Sequence, residues 1–133
     1  MTIERSNPEG AYSTRGYHHV VTASGGRAVY IAGQIAYDEH RKLQGGNDVV
    51  AQARAVLENL RHRLASVGAK PSDVVKITTY VVGYRQEDHI AGLVEANKAF
   101  FGEAHLPANT LIGVERLAVP ELLVEIEAIA YVD

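Results

Sequence analysis

Two stretches of the chain carry apolar residues at the three-to-four-residue spacing of an amphipathic helix. The first, 49–67, follows Asn47 and Asp48, and either of these side chains can cap the free N–H groups of a first turn. Gly68 stands where this helix should end. The second stretch, 87–101, has the same spacing. The pattern therefore predicts two helices, each with one apolar face and one solvated face.

Shorter runs rich in β-branched and aromatic residues predict strands. They cover residues 17–23, 28–36, 74–82, 109–114 and 122–132. The first two runs flank the Ser-Gly-Gly-Arg sequence at 24–27, which is typical of a tight turn, so we expect them to form a hairpin. The resulting order, β-β-α-β-α-β-β, predicts an α+β domain.

The strands also predict how the domain associates. Two helices can cover only one face of a sheet, yet strand 74–82 is apolar on both faces. Alternation places Val75, Ile77 and Val81 on one side and Val74, Tyr80 and Val82 on the other. Proteins rarely leave such a face wet, so we expect association through it. The alternative is an exposed face that is half polar.

Length and charge limit the classes of function. A chain of 133 residues is predicted to form a single domain, 1–133. The net charge of −3 and the lack of a Lys/Arg cluster predict no nucleic-acid partner. No apolar run approaches membrane-spanning length and no apolar leader is seen, so we expect no membrane contact and a cytoplasmic protein.

Residue types argue against metals, cofactors and thiol chemistry. The chain has no cysteine, which excludes disulfides and thiolate nucleophiles. His18 and His19 are neighbours on a predicted strand and should point to opposite faces, and the other histidines lack ligand spacing. The two Gly-Gly pairs match no phosphate-binding pattern. We therefore expect neither a metal nor a cofactor.

Several segments in order carry a family resemblance. They are Tyr17, then residues 30–34 (Tyr-Ile-Ala-Gly-Gln), 52–60, 74–80, 99–101, 106–108 (Leu-Pro-Ala) and 124–130 (Val-Glu-Ile-Glu-Ala-Ile-Ala). Together they resemble the Rid (reactive intermediate deaminase) family, also called YjgF or RidA-like. The resemblance implies a chorismate-mutase-like α+β fold: a mixed sheet with two helices on one face. It also implies a homotrimer packed around the open sheet face, with small-molecule clefts between subunits.

The resemblance also implies a chemistry and a set of site residues. In deaminating members an arginine binds the substrate carboxylate, and a glutamate positions the water that attacks a C=N carbon, with no cofactor or metal. Glu125 matches that catalytic glutamate. The matching substrate-binding positions are Tyr17, Ala32, Gly33, Asn109 and Thr110. Asn109 stands where the arginine belongs, and Ala32 replaces a serine.

An amide can hydrogen-bond a carboxylate but cannot neutralise it. The substrate then lacks a carboxylate, or another cation binds it, or the activity is lost. Candidate cations are Arg15, Arg85 and Arg116. Glu125 and Glu127 share a strand face roughly 7 Å apart, so either one or both can face a ligand.

Two classes of function follow from this sequence. The first is a hydrolytic deaminase of an imine, an enamine or a related amine, with poor activity on simple 2-imino acids; a deaminase of aminomuconate-like ring-cleavage products is one form of it. The alternative is a non-catalytic trimer that binds a small metabolite in the same clefts.

Overall fold

Both predicted helices are present in the computed structural model, which describes residues 1–133. Helix α1 covers Val49–Ala65 and helix α2 covers Gln86–Phe101. Asp48 is the cap of α1, because its Oδ1 accepts a hydrogen bond from the N–H of Ala51 at 3.0 Å. Helix α1 ends two residues earlier than predicted, at Ala65. Neither helix has the length and apolar composition needed to cross a membrane.

Six strands form two sheets. They are β1 (Thr2–Ser6), β2 (Val20–Ser24), β3 (Arg27–Gln34), β4 (Val74–Val82), β5 (Ala108–Val114) and β6 (Val124–Val132). The main sheet has the order β3-β6-β4-β5, in which β4 and β5 are parallel and the other pairs are antiparallel. Both helices pack on one face of it. The prediction of a mixed sheet with two helices on one face is confirmed.

The predicted hairpin is wrong, because its two strands pair with different partners. Strand β2 is antiparallel to β1, a strand that the sequence pattern did not predict, and together they form a separate two-stranded sheet. Strand β3 pairs instead with β6. The turn sequence shows that the chain bends between β2 and β3, but it does not determine which strands exchange backbone hydrogen bonds. Arg5 ties β1 to the start of β4, since its NH2 group donates to the Ser72 carbonyl at 2.7 Å.

The core lies between the helices and the sheet. Its fully buried members include Val56, Leu60, Leu64, Ile77, Val81 and Val124. Val74 also belongs to this core, which corrects its predicted place on the opposite face. The cause is a shift in the pairing of β4 with β6 between Val74 and Lys76. Such an irregularity breaks the strict alternation of side chains on which the prediction rested.

The open face of the main sheet is mixed rather than uniformly apolar. Tyr30 and Ile112 on this face are exposed, Tyr30 to 77%. Between them the Tyr80 hydroxyl donates to Glu127 Oε1 at 2.5 Å. The two exposed apolar side chains favour association through this face. The Tyr80–Glu127 pair instead favours the alternative, in which this face is half polar and stays exposed to solvent. Trimer formation therefore stays a prediction.

Candidate functional site

A cavity of about 550 Å³ lies between helix α2, the segment before β2 and the edge strand β5. Tyr17, Asn109 and Thr110, three of the predicted site residues, line it. The cavity wraps around β5, because successive side chains of a strand point to opposite faces. Its apolar wall consists of Ile90, Leu93, Val94, Leu111 and Ile126. The volume and the mixed lining are those of a small-molecule pocket.

Asn109 is held in one orientation by a buried neighbour. The Thr79 hydroxyl, whose residue is 4% exposed, donates to Asn109 Oδ1 at 3.1 Å. The parallel register of β4 and β5 brings these strands together, with Asn109 opposite Ile77. Because Oδ1 is already engaged, the Nδ2 amide group is the part of Asn109 that can donate to a ligand.

Lys76 supplies a positive charge to the same cavity. Its Nζ donates to Thr110 Oγ1 at 2.6 Å, and both residues line the cavity. Burial lowers the pKa of Lys76, although the nearby Glu127 carboxylate opposes this shift. Lys76 is not among the site residues predicted from the sequence. The signal was present, because Lys76 is the only charged residue in the apolar run of β4.

Of the three arginines considered as carboxylate partners, only Arg15 lines the cavity. Its side chain forms no ion pair within the chain. Arg85 is engaged at the start of α2, where it contacts Glu87 and Asp88 at 2.9 Å each. Arg116 lies outside the cavity lining. The Lys and Arg side chains that line the cavity are therefore Arg15 and Lys76.

Tyr17 belongs to an aromatic cluster at the cavity wall. Its hydroxyl lies 2.8 Å from that of Tyr12, and this hydrogen bond is the main reason that the pKa of Tyr17 is raised to about 12. The hydroxyl therefore stays protonated near neutral pH. The segment 17–19 is not part of a regular strand as predicted, since β2 begins at Val20. As a result, the neighbouring residues His18 and His19 both line the cavity, although strand alternation predicted opposite faces.

Glu125 lies apart from this cavity, on the open face of the sheet. It pairs in register with Tyr80, whereas Asn109 pairs with Ile77, three residues earlier on β4, so the two side chains emerge on opposite faces. One chain therefore does not bring Glu125 and Asn109 into a single site. Burial raises the pKa of Glu125, and the adjacent Glu127 carboxylate raises it further.

Gly33 and Ala32 accompany Glu125 rather than the cavity. A Cβ added at Gly33 would overlap Glu125 Oε2 and lie 2.7 Å from its Cδ, so only glycine lets the carboxylate occupy this position. The Ala32 carbonyl accepts a hydrogen bond from Gln34 Nε2 at 2.9 Å. The predicted site residues thus form two groups: Tyr17, Asn109 and Thr110 line the cavity, whereas Ala32, Gly33 and Glu125 lie outside it on the open face, the face on which Thr110 also emerges.

No group of three or more His, Asp or Glu side chains is close enough together to hold a metal ion. The pocket offers cations, amides and hydroxyls, which are groups that bind and orient an anionic organic ligand. Absence of a metal or cofactor in the reaction stays a prediction.

Comparison with known proteins gives consistent results. The sequence model of the family described as Endoribonuclease L-PSP matches residues 6–132. A RutC family protein of Pyrococcus horikoshii is 37% identical over 106 residues, which are 80% of each chain. A 2-iminobutanoate/2-iminopropanoate deaminase of Salmonella typhimurium is 36% identical over 107 residues, which are 79% of this chain and 80% of the deaminase.

Solved structures share the whole fold. A protein of the conserved Rid family from Yersinia pestis, itself described as of unknown function, is 42% identical and superimposes with a TM-score of 0.94. The match covers 99% of this chain and 100% of that one. The RidA protein of an Antarctic Psychrobacter is 30% identical, covers 91% of this chain and 92% of that one, and has a TM-score of 0.70.

Proposed function

This chain belongs to the endoribonuclease L-PSP family, whose members are also named YjgF, RutC or Rid proteins, and we propose that it is a hydrolytic deaminase of an imine or enamine that carries a carboxylate. The observation that carries the proposal is the cavity whose lining includes the cations Lys76 and Arg15 together with Asn109. These two cations provide the charge that an asparagine lacks. The Salmonella typhimurium relative, named as a deaminase of 2-imino acids, supports the reaction class.

The carboxylate of the substrate would lie against Lys76 Nζ, while Asn109 Nδ2, which emerges on the other face of the sheet, would donate to another part of the ligand across the edge strand β5. Lys76 already donates to Thr110, and Asn109 is fixed by Thr79, so both donors are oriented before the ligand enters. Burial lowers the pKa of Lys76 because the charged form loses hydration, and an anionic partner would stabilise that charged form. Arg15, which is exposed, would contribute through longer-range attraction at the cavity mouth.

The size of the cavity bears on which substrate is preferred. At about 550 Å³ it is larger than a four-carbon acid fills, and its wall on the α2 side is apolar. A lysine also binds a carboxylate as a point charge, without the two-pronged contact of an arginine. We therefore expect larger apolar imines to be better substrates than the simplest 2-imino acids.

The water-positioning group, Glu125, would come from a second copy of the chain. Glu125 is not among the residues that line the cavity, and its side chain emerges on the sheet face opposite to that of Asn109, so Glu125 of a neighbouring copy would complete the site. The exposed Tyr30 and Ile112 on the Glu125 face support such packing, as they would be covered by it. A homotrimer with clefts between its subunits meets this requirement. Light scattering that gave the mass of a single chain would contradict this part of the proposal.

Hydrolysis is tested by generating 2-imino acids in place with an amino-acid oxidase. Alanine, leucine and phenylalanine serve as precursors, and a known active deaminase is run in parallel. We expect the wild-type chain to accelerate release of ammonia, more for leucine and phenylalanine than for alanine. Asn109→Arg should improve the alanine-derived substrate, because it adds a fixed cation for a small acid.

A silent wild type beside an active Asn109→Arg variant would mean that the cavity is intact but serves another ligand. Silence in both would favour the second candidate function, a non-catalytic trimer that binds a metabolite. The observation that favours this candidate is the separation of Glu125 from Asn109 within one chain. Binding of 2-oxo acids without any turnover would identify it.

Replacing Lys76 with methionine should weaken carboxylate binding by about 10- to 100-fold, the size expected for loss of a hydrogen bond to a charged group. The probe is 2-oxohexanoate, a stable acid that contains the carboxylate but no C=N group, and its Kd is measured by calorimetry. The fold should persist, because methionine matches the length of the lysine stem and avoids the burial cost that lowers the Lys76 pKa.

The matched control is Lys98→Met, since Lys98 lies on α2 outside the cavity and contacts Glu103 at 3.3 Å. Its Kd should equal that of the wild type. If Lys76→Met also left the Kd unchanged, the carboxylate would not be bound at Lys76.

A further inference from the structure

His18 is held at the cavity by two hydrogen bonds to the segment that leads into β5. Its backbone N–H donates to the Pro107 carbonyl at 3.1 Å, and its ring Nδ1 lies 2.7 Å from the Leu106 carbonyl oxygen. A carbonyl oxygen only accepts, so Nδ1 carries the hydrogen in this contact. The backbone of His18 also pairs with Ala108, the residue before Asn109. Both the position and the tautomer of the ring are therefore fixed.

The other ring nitrogen of His18, Nε2, is free to act on a ligand. It makes no hydrogen bond within the chain, and the residue lines the cavity. In the neutral ring, a hydrogen on Nδ1 leaves a lone pair on Nε2, which makes Nε2 a proton acceptor. His19 differs, because its Nε2 lies 2.8 Å from the Tyr12 carbonyl and its ring packs edge-on against Tyr12 at 4.6 Å. Of the two histidines, only His18 has an unengaged Nε2, the ring nitrogen farther from the backbone.

We infer that His18 Nε2 is an acid/base group of the cavity, which carries a proton from the attacking water to the departing nitrogen; this inference rests on the proposed deaminase function. It differs from the role given to Glu125, which orients the water from a second copy. In this scheme the Glu125 carboxylate of a neighbouring copy orients the water, and the His18 imidazole, which is fixed within the cavity, transfers the proton. The orienting contact from the Leu106 carbonyl is the kind that holds a catalytic imidazole in one tautomer.

The proton balance of the reaction fits one such group. The water oxygen bonds to the carbon of a protonated C=N group, the C=N π electrons move to nitrogen, and the proton that the water loses passes to Nε2. The imidazolium then returns this proton to the nitrogen. The C–N bond breaks with its electron pair leaving on ammonia, and the hydroxyl oxygen forms the C=O bond as it releases its proton to solvent. Positioned groups of this kind contribute about 10²- to 10⁴-fold to rates.

The test compares wild type, His18→Asn and His18→Ala in the imine-hydrolysis assay. Asparagine keeps an N–H donor near the position of Nδ1, so the bond to the Leu106 carbonyl is preserved while the base is lost. We expect kcat to fall by about 100-fold or more, with KM changed less than about threefold. Imidazole added to His18→Ala should restore part of kcat. His62→Asn, on the exposed side of α1 outside the cavity, is the matched control and should retain wild-type rates.

The possible outcomes separate this inference from the function on which it rests. An active wild type with an equally active His18→Asn variant would overturn the role of His18 and leave the deaminase function standing. Loss of activity together with a lower thermal midpoint, and with no rescue by imidazole, would also overturn it, because that is the behaviour of a structural residue. A silent wild type beside an active reference deaminase would remove the deaminase function, and the role of His18 with it.

Discussion

Replacing Gln52 with leucine should lower the free energy of unfolding by about 3–5 kcal/mol. Gln52 is fully buried on α1 and satisfies three backbone groups at once. Its Nε2 donates to the carbonyls of Gly46 at 2.7 Å and Glu121 at 3.0 Å, and its Oε1 accepts from the Leu123 N–H at 2.8 Å. Leucine fills a similar volume but leaves these backbone groups without partners. Each buried group left unpaired costs about 1–3 kcal/mol, and the apolar gain of leucine offsets only part of the sum.

Urea unfolding at one fixed chain concentration measures this effect, since association would make stability depend on concentration. Gln44→Leu is the matched control: Gln44 is exposed, and its Nε2 donates to the Lys42 carbonyl at 3.1 Å. A surface substitution of this type should stay within about 0.5 kcal/mol of the wild type. A loss below about 1 kcal/mol for Gln52→Leu would mean that water or a local rearrangement replaces the three bonds.

The hydrogen bonds of Gln52 also position the start of the strand that carries Glu125. The residues that it holds, Glu121 and Leu123, immediately precede β6, the strand that carries Glu125. Loosening them should therefore shift the start of β6 before the rest of the sheet. The side chain that anchors the entrance to this strand comes from a helix some 70 positions earlier in the chain.

The helices and the strand content of this fold were predictable, because they depend on local patterns. The spacing of apolar residues located α1 and α2 to within two residues at their ends, and Asp48 caps α1 as a short acidic side chain should. The pairing of β2 with β1 was not predictable, because it depends on which distant backbone groups meet. The same holds for the shift near Val74, which a strict alternation of side chains cannot anticipate.

The candidate site was predictable in part, for the same reason. The resemblance supplied Glu125 and Asn109, but residue spacing alone could not place them on opposite faces of one sheet; that required the register of β4 with both neighbours. Lys76 was not predicted as a site residue, because the sequence alone does not show what a single lysine in a strand contacts. Its contact with Thr110 and its partial burial appear only when β5 is placed beside β4.

Glu125→Gln should reduce turnover of the imine by about 10²- to 10⁴-fold while leaving the Kd of 2-oxohexanoate almost unchanged. Glutamine keeps the shape of the side chain but no longer attracts and orients a water through a negative charge. Glu127→Gln is the control, because Glu127 is more exposed and is engaged by the Tyr80 hydroxyl. Turnover by this control should stay within about threefold of the wild type. Equal rates for Glu125→Gln and wild type would remove Glu125 from the mechanism.

The stability of the same variant should move in the opposite direction to its activity. Burial and the charge of Glu127 raise the pKa of Glu125 above its ordinary value of 4.5, so folding favours the protonated form. The stability that this preference contributes is complete below pH 4.5 and is lost as the pH rises through the raised pKa. Glutamine cannot ionise, so the thermal midpoint of the variant should decline less as the pH rises from 4.5 through the raised pKa of Glu125. At pH 7 the variant should be at least as stable as the wild type. A variant that is less active yet no less stable is expected where a carboxylate is kept at a half-buried position for chemistry. If Glu125→Gln instead lowered the midpoint at pH 7, the carboxylate would be a structural group, and the water would have to be positioned by another residue.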